Sequence, residues 1–193
     1  MSTDYADTTR YSQHVDHTWY AELAAYAQTL AGDWAPGEPG AVADASAFLF
    51  REARYLDTGN FESWLEIFAA DGVYWVPSVH GGGDPTREIS WAFDDVRRLT
   101  DRVFWLRTGM ASCQIPPSRT RRILGNIEVL DDQGLRFARS NVLISEFRAG
   151  VTRLYAADVG HVLRHTHAGW RIRMKRINLI DSDQGHENMT LML

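Results

Sequence analysis

From Arg119 onward the chain turns into long segments of period two, and this second half most constrains the fold. RTRRILGNIEVL (residues 119–130) and LRFARSNVLISEFRAG (135–150) flank Asp131-Asp132-Gln133-Gly134, which reads as a hairpin turn. VTRLYAADVGHVLRHT (151–166) and WRIRMKRINLI (170–180) flank His167-Ala168-Gly169, a second hairpin. Period two sends successive side chains to opposite faces of a sheet. Strands this long exceed the usual length of about 5–6 residues, and long antiparallel strands twist and coil. The predicted fold is therefore α+β: a strongly curved, mainly antiparallel sheet wrapped over helices like a cone.

The first half supplies the helices. Trp19–Ala31 has apolar spacing at three and four and is predicted helical. Gly32–Gly40, GDWAPGEPG, is a turn-rich linker that Pro and Gly keep from continuing the helix. Asp44 or Ser46 can cap a helix running to about Asp57, with Phe48, Leu49, Ala53 and Leu56 on or near one face. Thr58-Gly59-Asn60 turns the chain. Phe61, Trp64, Leu65 and Phe68 then mark a second helix, which completes a helical hairpin and ends at Asp71-Gly72. VYWVPSV reads as a strand, HGGGDPT as a loop, and REISWAFDD as a strand leading into the helix VRRLTDRVFWLR, capped by Asp94 or Asp95. Residues 1–18 read as a mobile tail. The organisation expected is residues 1–43 as N-terminal tail, helix and linker, and 44–193 as the main domain.

With 193 residues, 45% of them hydrophobic, the chain suits one domain with a sizeable core. No apolar run approaches the roughly 18–20 residues of a membrane span. The polar start MSTDYADTTRYSQHVDH has no apolar signal region, and the single Cys113 permits no internal disulfide. These features predict a soluble, cytoplasmic protein without a membrane partner. Residues 1–95 hold 16 acidic and 4 basic side chains, and residues 96–193 hold 9 and 16. A basic half facing an acidic half predicts internal pairing and complementary subunit contacts. Nucleic acid would need an unopposed basic face. Lys175 is the one lysine among 20 cations, and arginine suits bidentate pairing with carboxylates.

Few motifs carry chemistry. His80-Gly81-Gly82-Gly83 looks like an oxyanion loop, but no G-x-S-x-G elbow accompanies it, and no G-K-[ST] follows to make a phosphate cradle. His161, His165 and His167 have even spacing, yet Gly169 puts His167 in a turn, so they read as a surface histidine cluster near a hairpin end rather than a metal site. No paired-cysteine or Cys-x-His motif offers an iron–sulfur site. Asp57 ends a helix and is expected to pair with Arg51 or Arg54; pointed into a cone it would be a base. Trp64 and Trp91 fall in apolar patterns and are expected in the core. Trp75, Trp105 and the terminal LML are expected on contact surfaces.

REARYLDTGNFESWLEIFAADGVYWVPS, DPTREISWAFDDVRRLTDRVFWLRTG, IPPSRTRRILGN and GWRIRMKRINLIDSD together resemble the small, or beta, subunit of ring-hydroxylating Rieske-type dioxygenases, in collinear order over roughly residues 44–193. The resemblance implies the cone-like fold shared with nuclear transport factor 2 and scytalone dehydratase. It implies a non-catalytic assembly subunit without catalytic, cofactor or metal residues of its own. The Rieske [2Fe–2S] centre and the mononuclear Fe(II) would belong to a catalytic alpha subunit that dihydroxylates an aromatic ring. The implied partners are that alpha subunit, further copies of this chain as a trimer within an alpha3beta3 hexamer, and, indirectly, a ferredoxin or reductase.

On this reading Arg119, Arg121 and Arg122 form a subunit contact or structural ion pairs. Alternation sends Arg119 and Arg121 to one face and Arg122 to the other. Asp94, Asp95 and Asp101 are their expected partners, and Arg121→Ala is expected to weaken assembly. The alternative is a stand-alone dehydratase, isomerase or cyclase on the same fold, using Tyr55, Asp57, Tyr74 and His80 in the cavity of the cone. A deep cavity with a His–Asp pair would favour that alternative, and a cavity filled by side chains would favour the subunit.

Overall fold

The structure, a computed structural model, describes residues 16–81, 84–186 and 191–193. Four helices and six strands follow in the order α1 (His17–Ala31), α2 (Pro39–Thr58), α3 (Phe61–Glu66), β1 (Phe68–Pro77), β2 (Ser90–Asp95), α4 (Val96–Arg107), β3 (Arg119–Asp132), β4 (Leu135–Arg148), β5 (Val151–Thr166) and β6 (Gly169–Leu179). The strands form one sheet in the order β2-β1-β6-β5-β4-β3, antiparallel throughout except where β1 runs parallel to β6. The four long strands and both hairpins lie where the alternation puts them, within a residue or two.

Local chemistry sets the ends of the helices. The Asp16 carboxylate accepts from the N–H groups of Thr18 and Trp19 and caps α1, and Asp95 caps α4 by accepting from Arg98 N–H at 2.9 Å. Gly59, at φ 70°, ends α2, with its N–H on Leu56 and the Asn60 N–H on the Tyr55 carbonyl. Three boundaries differ from expectation. Pro39 occupies the first turn of α2, where its missing N–H costs nothing, so the helix starts before Asp44 and the 43/44 division falls inside it. Phe68 opens β1 rather than closing a helix. Asp71-Gly72 lies within β1, at a break in its register with β6. A Cβ on Gly72 would meet the carbonyl oxygens of Ala69 and Ile172 at 2.8 Å, so the irregularity needs glycine. The expected tail, residues 1–18, lies outside the described residues up to residue 15, and so do Gly82 and Gly83 of the glycine loop.

The sheet separates two cores. On its inner face, Phe48, Leu49 and Leu56 of α2 and Trp64 of α3 pack on Tyr74, Ile144, Val159, Leu163, Ile172 and Ile177. On its outer face, Trp19, Leu23, Tyr26 and Leu30 of α1 pack on Val73, Trp75, Phe137, Val162 and Met174. Gly160 of β5 lets α1 come close, since a Cβ there would lie 2.6 Å from Leu30 Cδ1. The linker from α1 to α2 passes β3 so closely that a Cβ on Gly37 would lie 2.6 Å from the Val129 carbonyl oxygen. Arg139 of β4 stacks on Trp34 of this linker at 4.3 Å and donates to the Gly32 carbonyl at 2.8 Å, at the C-terminal end of α1.

Candidate functional site: the interior of the cone and the bare sheet face

Two regions are built in ways that packing alone does not require. The first is the interior. Glu52 sits on the buried stripe of α2 at helical spacing from Ala45, Phe48, Leu49 and Leu56. Its carboxylate takes the Trp64 indole N–H at 3.1 Å, Lys175 Nζ at 2.9 Å and His161 Nε2 at 2.8 Å. All four side chains are buried. Burial pushes the Glu52 carboxyl up, but the charges of Lys175 and His161 outweigh it and hold the group well below the usual carboxylate range. Burial draws the Lys175 ammonium below its ordinary value, against the opposing pull of Glu52. Tyr74 opposite is pushed up to about 12 by burial.

The chain's own residues fill this interior. Leu191, Met192 and Leu193 lie within the inner core. The Leu193 N–H donates to Tyr74 Oη at 3.0 Å, Lys175 Nζ donates to the Leu193 oxygen at 2.9 Å, and Arg122 donates to the Met192 carbonyl. The space left over, bounded by Glu52, His161, Lys175, Arg122 and Leu193, is ≈ 20 Å³, room for about one water.

Arg122 is the inward member of the arginine cluster, as alternation requires. It pairs with Asp57 of α2, whose second oxygen accepts from the Arg122 main-chain N–H at 2.9 Å, while Thr120 Oγ1 donates to the first at 2.9 Å. The pair is largely shielded, with the side chains 4% and 12% exposed. Burial lowers the Arg122 pKa and Asp57 offsets it.

The expected partners go elsewhere. Asp94 takes Arg102 Nε at 3.0 Å, Asp101 faces Arg97 across one helical turn at 3.4 Å, and Asp95 is spent on its cap. Neither Arg51 nor Arg54 holds Asp57; the carboxylate points inward to β3 instead. Arg119 and Arg121 face outward, Arg119 over the Phe147 ring at 4.6 Å and Arg121 donating to its neighbour's carbonyl.

Of the residues assigned to a cavity enzyme, Asp57 and Tyr74 reach the interior but are engaged by Arg122 and Leu193, and His80 is exposed on its loop. Tyr55 is half-buried against the inner core. His161 is no surface histidine: it is buried against Glu52, while exposed His165 packs edge-on against Trp170 at 4.9 Å. Trp75 is buried, against the expectation of a contact surface. It lies under α1 and donates to Ser90 Oγ at 2.9 Å, so it offers no contact surface. The terminal LML is internal rather than superficial. Trp91 is partly exposed and donates to the Ser182 carbonyl at 2.8 Å. Glu52 and Lys175 escaped the sequence reading, although an acid on an apolar helix stripe and the sole lysine on a buried strand were both visible signals.

The second region is the half of the outer sheet face that α1 leaves bare. Ile123, Leu143 and Ala156 stand side by side across β3, β4 and β5, and Ile180 continues the row through its N–H on the Ala156 carbonyl. Leu154 lies in the adjoining row with Ser145 and Arg121. Ile123, Leu143, Leu154 and Ile180 are 69%, 45%, 68% and 66% exposed. Trp105 and Phe104 on α4 are exposed too, and Trp105 lines a groove of ≈ 620 Å³ with Trp91, Arg98 and Cys113. Among the described residues, no group of three or more His, Cys, Asp or Glu side chains is disposed to hold a metal ion, and no helix is long and apolar enough to cross a membrane.

Solved structures share this architecture. The beta subunit of the benzoate 1,2-dioxygenase of Burkholderia mallei aligns with a TM-score of 0.64 at 26% identity, over 78% of this chain and 96% of that one. A naphthalene 1,2-dioxygenase chain aligns at 0.71 and 18% identity, a likeness of fold. In sequence, the 2-halobenzoate 1,2-dioxygenase small subunit of Burkholderia cepacia is 30% identical over 142 residues, 70% of this chain and 86% of that subunit. The toluate 1,2-dioxygenase subunit beta of Pseudomonas putida is 42% identical over 89 residues, 44% of this chain and 55% of that subunit. The profile described as ring hydroxylating beta subunit matches residues 51–183. With the curved sheet, the filled interior and these matches in hand, the chain is a member of the beta-subunit family of ring-hydroxylating dioxygenases.

Proposed function

We propose that this chain is the assembly subunit of an aromatic-ring dioxygenase, joined to a catalytic alpha subunit and trimeric within an alpha3beta3 hexamer. The Rieske [2Fe–2S] cluster and mononuclear Fe(II) belong to the alpha subunit, and a ferredoxin or reductase supplies its electrons. The observation that carries the reading is the bare apolar row Ile123–Leu143–Ala156–Ile180 with Leu154 beside it. A contiguous apolar surface on a soluble chain is the mark of a subunit contact. Arg119 and Arg121 edge this row and supply charge at its rim. The two sequence relatives above are subunits of dioxygenases named for toluate and 2-halobenzoate, which supports an aromatic carboxylate as the substrate of the complex.

The test is co-expression with the alpha subunit, followed by native mass spectrometry and iron analysis. Leu154→Glu alters a side chain that the fold leaves in water. The heterohexamer should be lost or weakened while the thermal midpoint of the isolated chain holds. An intact hexamer with Leu154→Glu would remove this face from the interface. A cavity enzyme draws support from the buried Glu52–His161 pair and from a pocket of ≈ 740 Å³ lined by Asp57, Arg122 and Met192, but the tail segment fills the space beside Glu52 and His161 and Asp57 is paired with Arg122.

A further inference from the structure

The interior treats Leu191–Leu193 as a bound peptide. Leucine and methionine side chains donate and accept no hydrogen bonds of ordinary strength, so every polar contact to the segment goes through its main chain. Three strands contribute one reader each: Tyr74 of β1 accepts an N–H, Lys175 of β6 takes the Leu193 main-chain oxygen, and Arg122 of β3 takes the Met192 carbonyl before it. The apolar wall includes Leu49, Leu56, Leu124, Ile144 and Ile177 beside Leu193, and Leu56 and Phe61 beside Leu191 and Met192.

Two of the readers, Lys175 and Arg122, are also braced from behind, without help from the segment. Glu52 holds Lys175 and is itself fixed by Trp64 and His161. Asp57 and Thr120 hold Arg122. A cradle whose polar groups are positioned independently of their occupant keeps its shape when the occupant leaves, which is the condition for binding in trans. His161 Nδ1 is buried on this same wall and has no hydrogen-bond partner among the described residues.

We propose that the chamber is a peptide-binding site for a short, extended apolar segment, occupied in cis by Leu191–Leu193 and able to accept the same chemistry in trans when those residues withdraw. Apolar side-chain volume and a main-chain N–H flanked by two main-chain oxygens define the ligand. The segment of a second copy of this chain satisfies that description by construction, so an exchange of segments between copies is the natural form of the trans complex.

Lys175 supplies the readout, because it is the only lysine in the sequence and it contacts the segment directly. The experiment is acylation with an amine-reactive ester, with modification at Lys175 followed by mass spectrometry, on the full chain and on a variant lacking residues 191–193. Acylation should be slow in the full chain and at least about tenfold faster in the deletion variant, whose chamber is open. Adding acetyl-Leu-Met-Leu should return the deletion variant to the slow rate and leave the full chain unchanged. A folded deletion variant with slow acylation, or with fast acylation that the peptide does not slow, overturns the proposal. If circular dichroism shows that the deletion variant does not fold, the full chain carrying Met192→Ala and Leu193→Ala replaces it. That variant loosens the occupant and leaves the cradle whole. It should react faster than the native chain and be slowed by the peptide, and failure of either overturns the proposal.

Discussion

Arg122→Met is the most informative single change, because one side chain ties three parts of the chain together. Arg122 carries charge from β3 to Asp57 at the last turn of α2, and its other amino group holds the Met192 carbonyl. Methionine keeps most of the stem and removes the charge. Asp57 would keep only Thr120 Oγ1 and the main-chain N–H of residue 122, both at 2.9 Å, with 12% of its side chain exposed at the wall of a pocket. Breaking one partner out of a buried pair costs about 3–5 kcal/mol. Asp57 retains a small exposed edge, which favours the lower end, about 3 kcal/mol. For a domain of this size that is a fall in thermal midpoint of about 6–12 °C. Thermal unfolding followed by far-ultraviolet circular dichroism, with urea midpoints as a second measure, reads it out. The variant Asp57→Asn/Arg122→Met removes the stranded charge yet keeps an acceptor for the N–H, and should recover more than half of the loss. Arg121→Ala, an outward neighbour on the same strand, should leave the midpoint nearly where it was. A fall of less than about 2 °C for Arg122→Met would refute the view that this pair is a dry, structural contact.

Three further outcomes follow from the same structure. The Tyr74 phenol is raised above its ordinary 10.0 to about 12, so its contribution is whole below pH 10 and is lost as pH climbs through about 12. Two pKa units correspond to roughly 3 kcal/mol. Burial also pushes Tyr26 and Tyr155 up to about 12, so alkaline titration of tyrosinate absorbance should show a group of late-ionising phenols whose amplitude falls by one tyrosine in Tyr74→Phe. Gly160→Val should press on Leu30 and cost about 1–3 kcal/mol, with Leu30→Ala in the same chain restoring part of it, as read by urea unfolding. Glu52→Gln should strip Lys175 of its counter-charge and lower the thermal midpoint more than Glu128→Gln, which breaks a more exposed pair with Arg139.

The long strands were legible because alternation over ten or more residues has one physical meaning, and α4 was legible because its cap and its stripe agree. Errors clustered where a local signal has two meanings. Asp71-Gly72 reads as a stop, yet glycine inside a strand also marks an irregularity in pairing, and the neighbouring Ile172 carbonyl chooses the second. Pro39 reads as part of a linker, yet it suits the first turn of a helix. The interior was harder. His161 and Glu52 are 109 residues apart, and only the closing of β5 over α2 brings them to hydrogen-bonding distance. Asp57 reads as a helix-end carboxylate, and spacing along its own helix offers Arg51 or Arg54, whereas the fold supplies Arg122. The choice of Arg122 depends on how the cone closes, which no spacing records. Burial of Leu191–Leu193 left no trace at all, because three apolar residues at the end of a polar stretch look the same inside or out.

The crossing of Gly37 over Val129 bears on what the sheet can become. β3 is an outermost strand, and an outermost strand invites a second chain to add on and extend the sheet indefinitely. Here the linker backbone lies against that strand at one point of close approach, fastened by Arg139 on Trp34. A strand arriving from another molecule would have to lift this clasp before it could pair there. Open-ended growth along β3 is thereby opposed at this point of the strand, and the clasp is a barrier that a pairing strand from a second molecule must first remove.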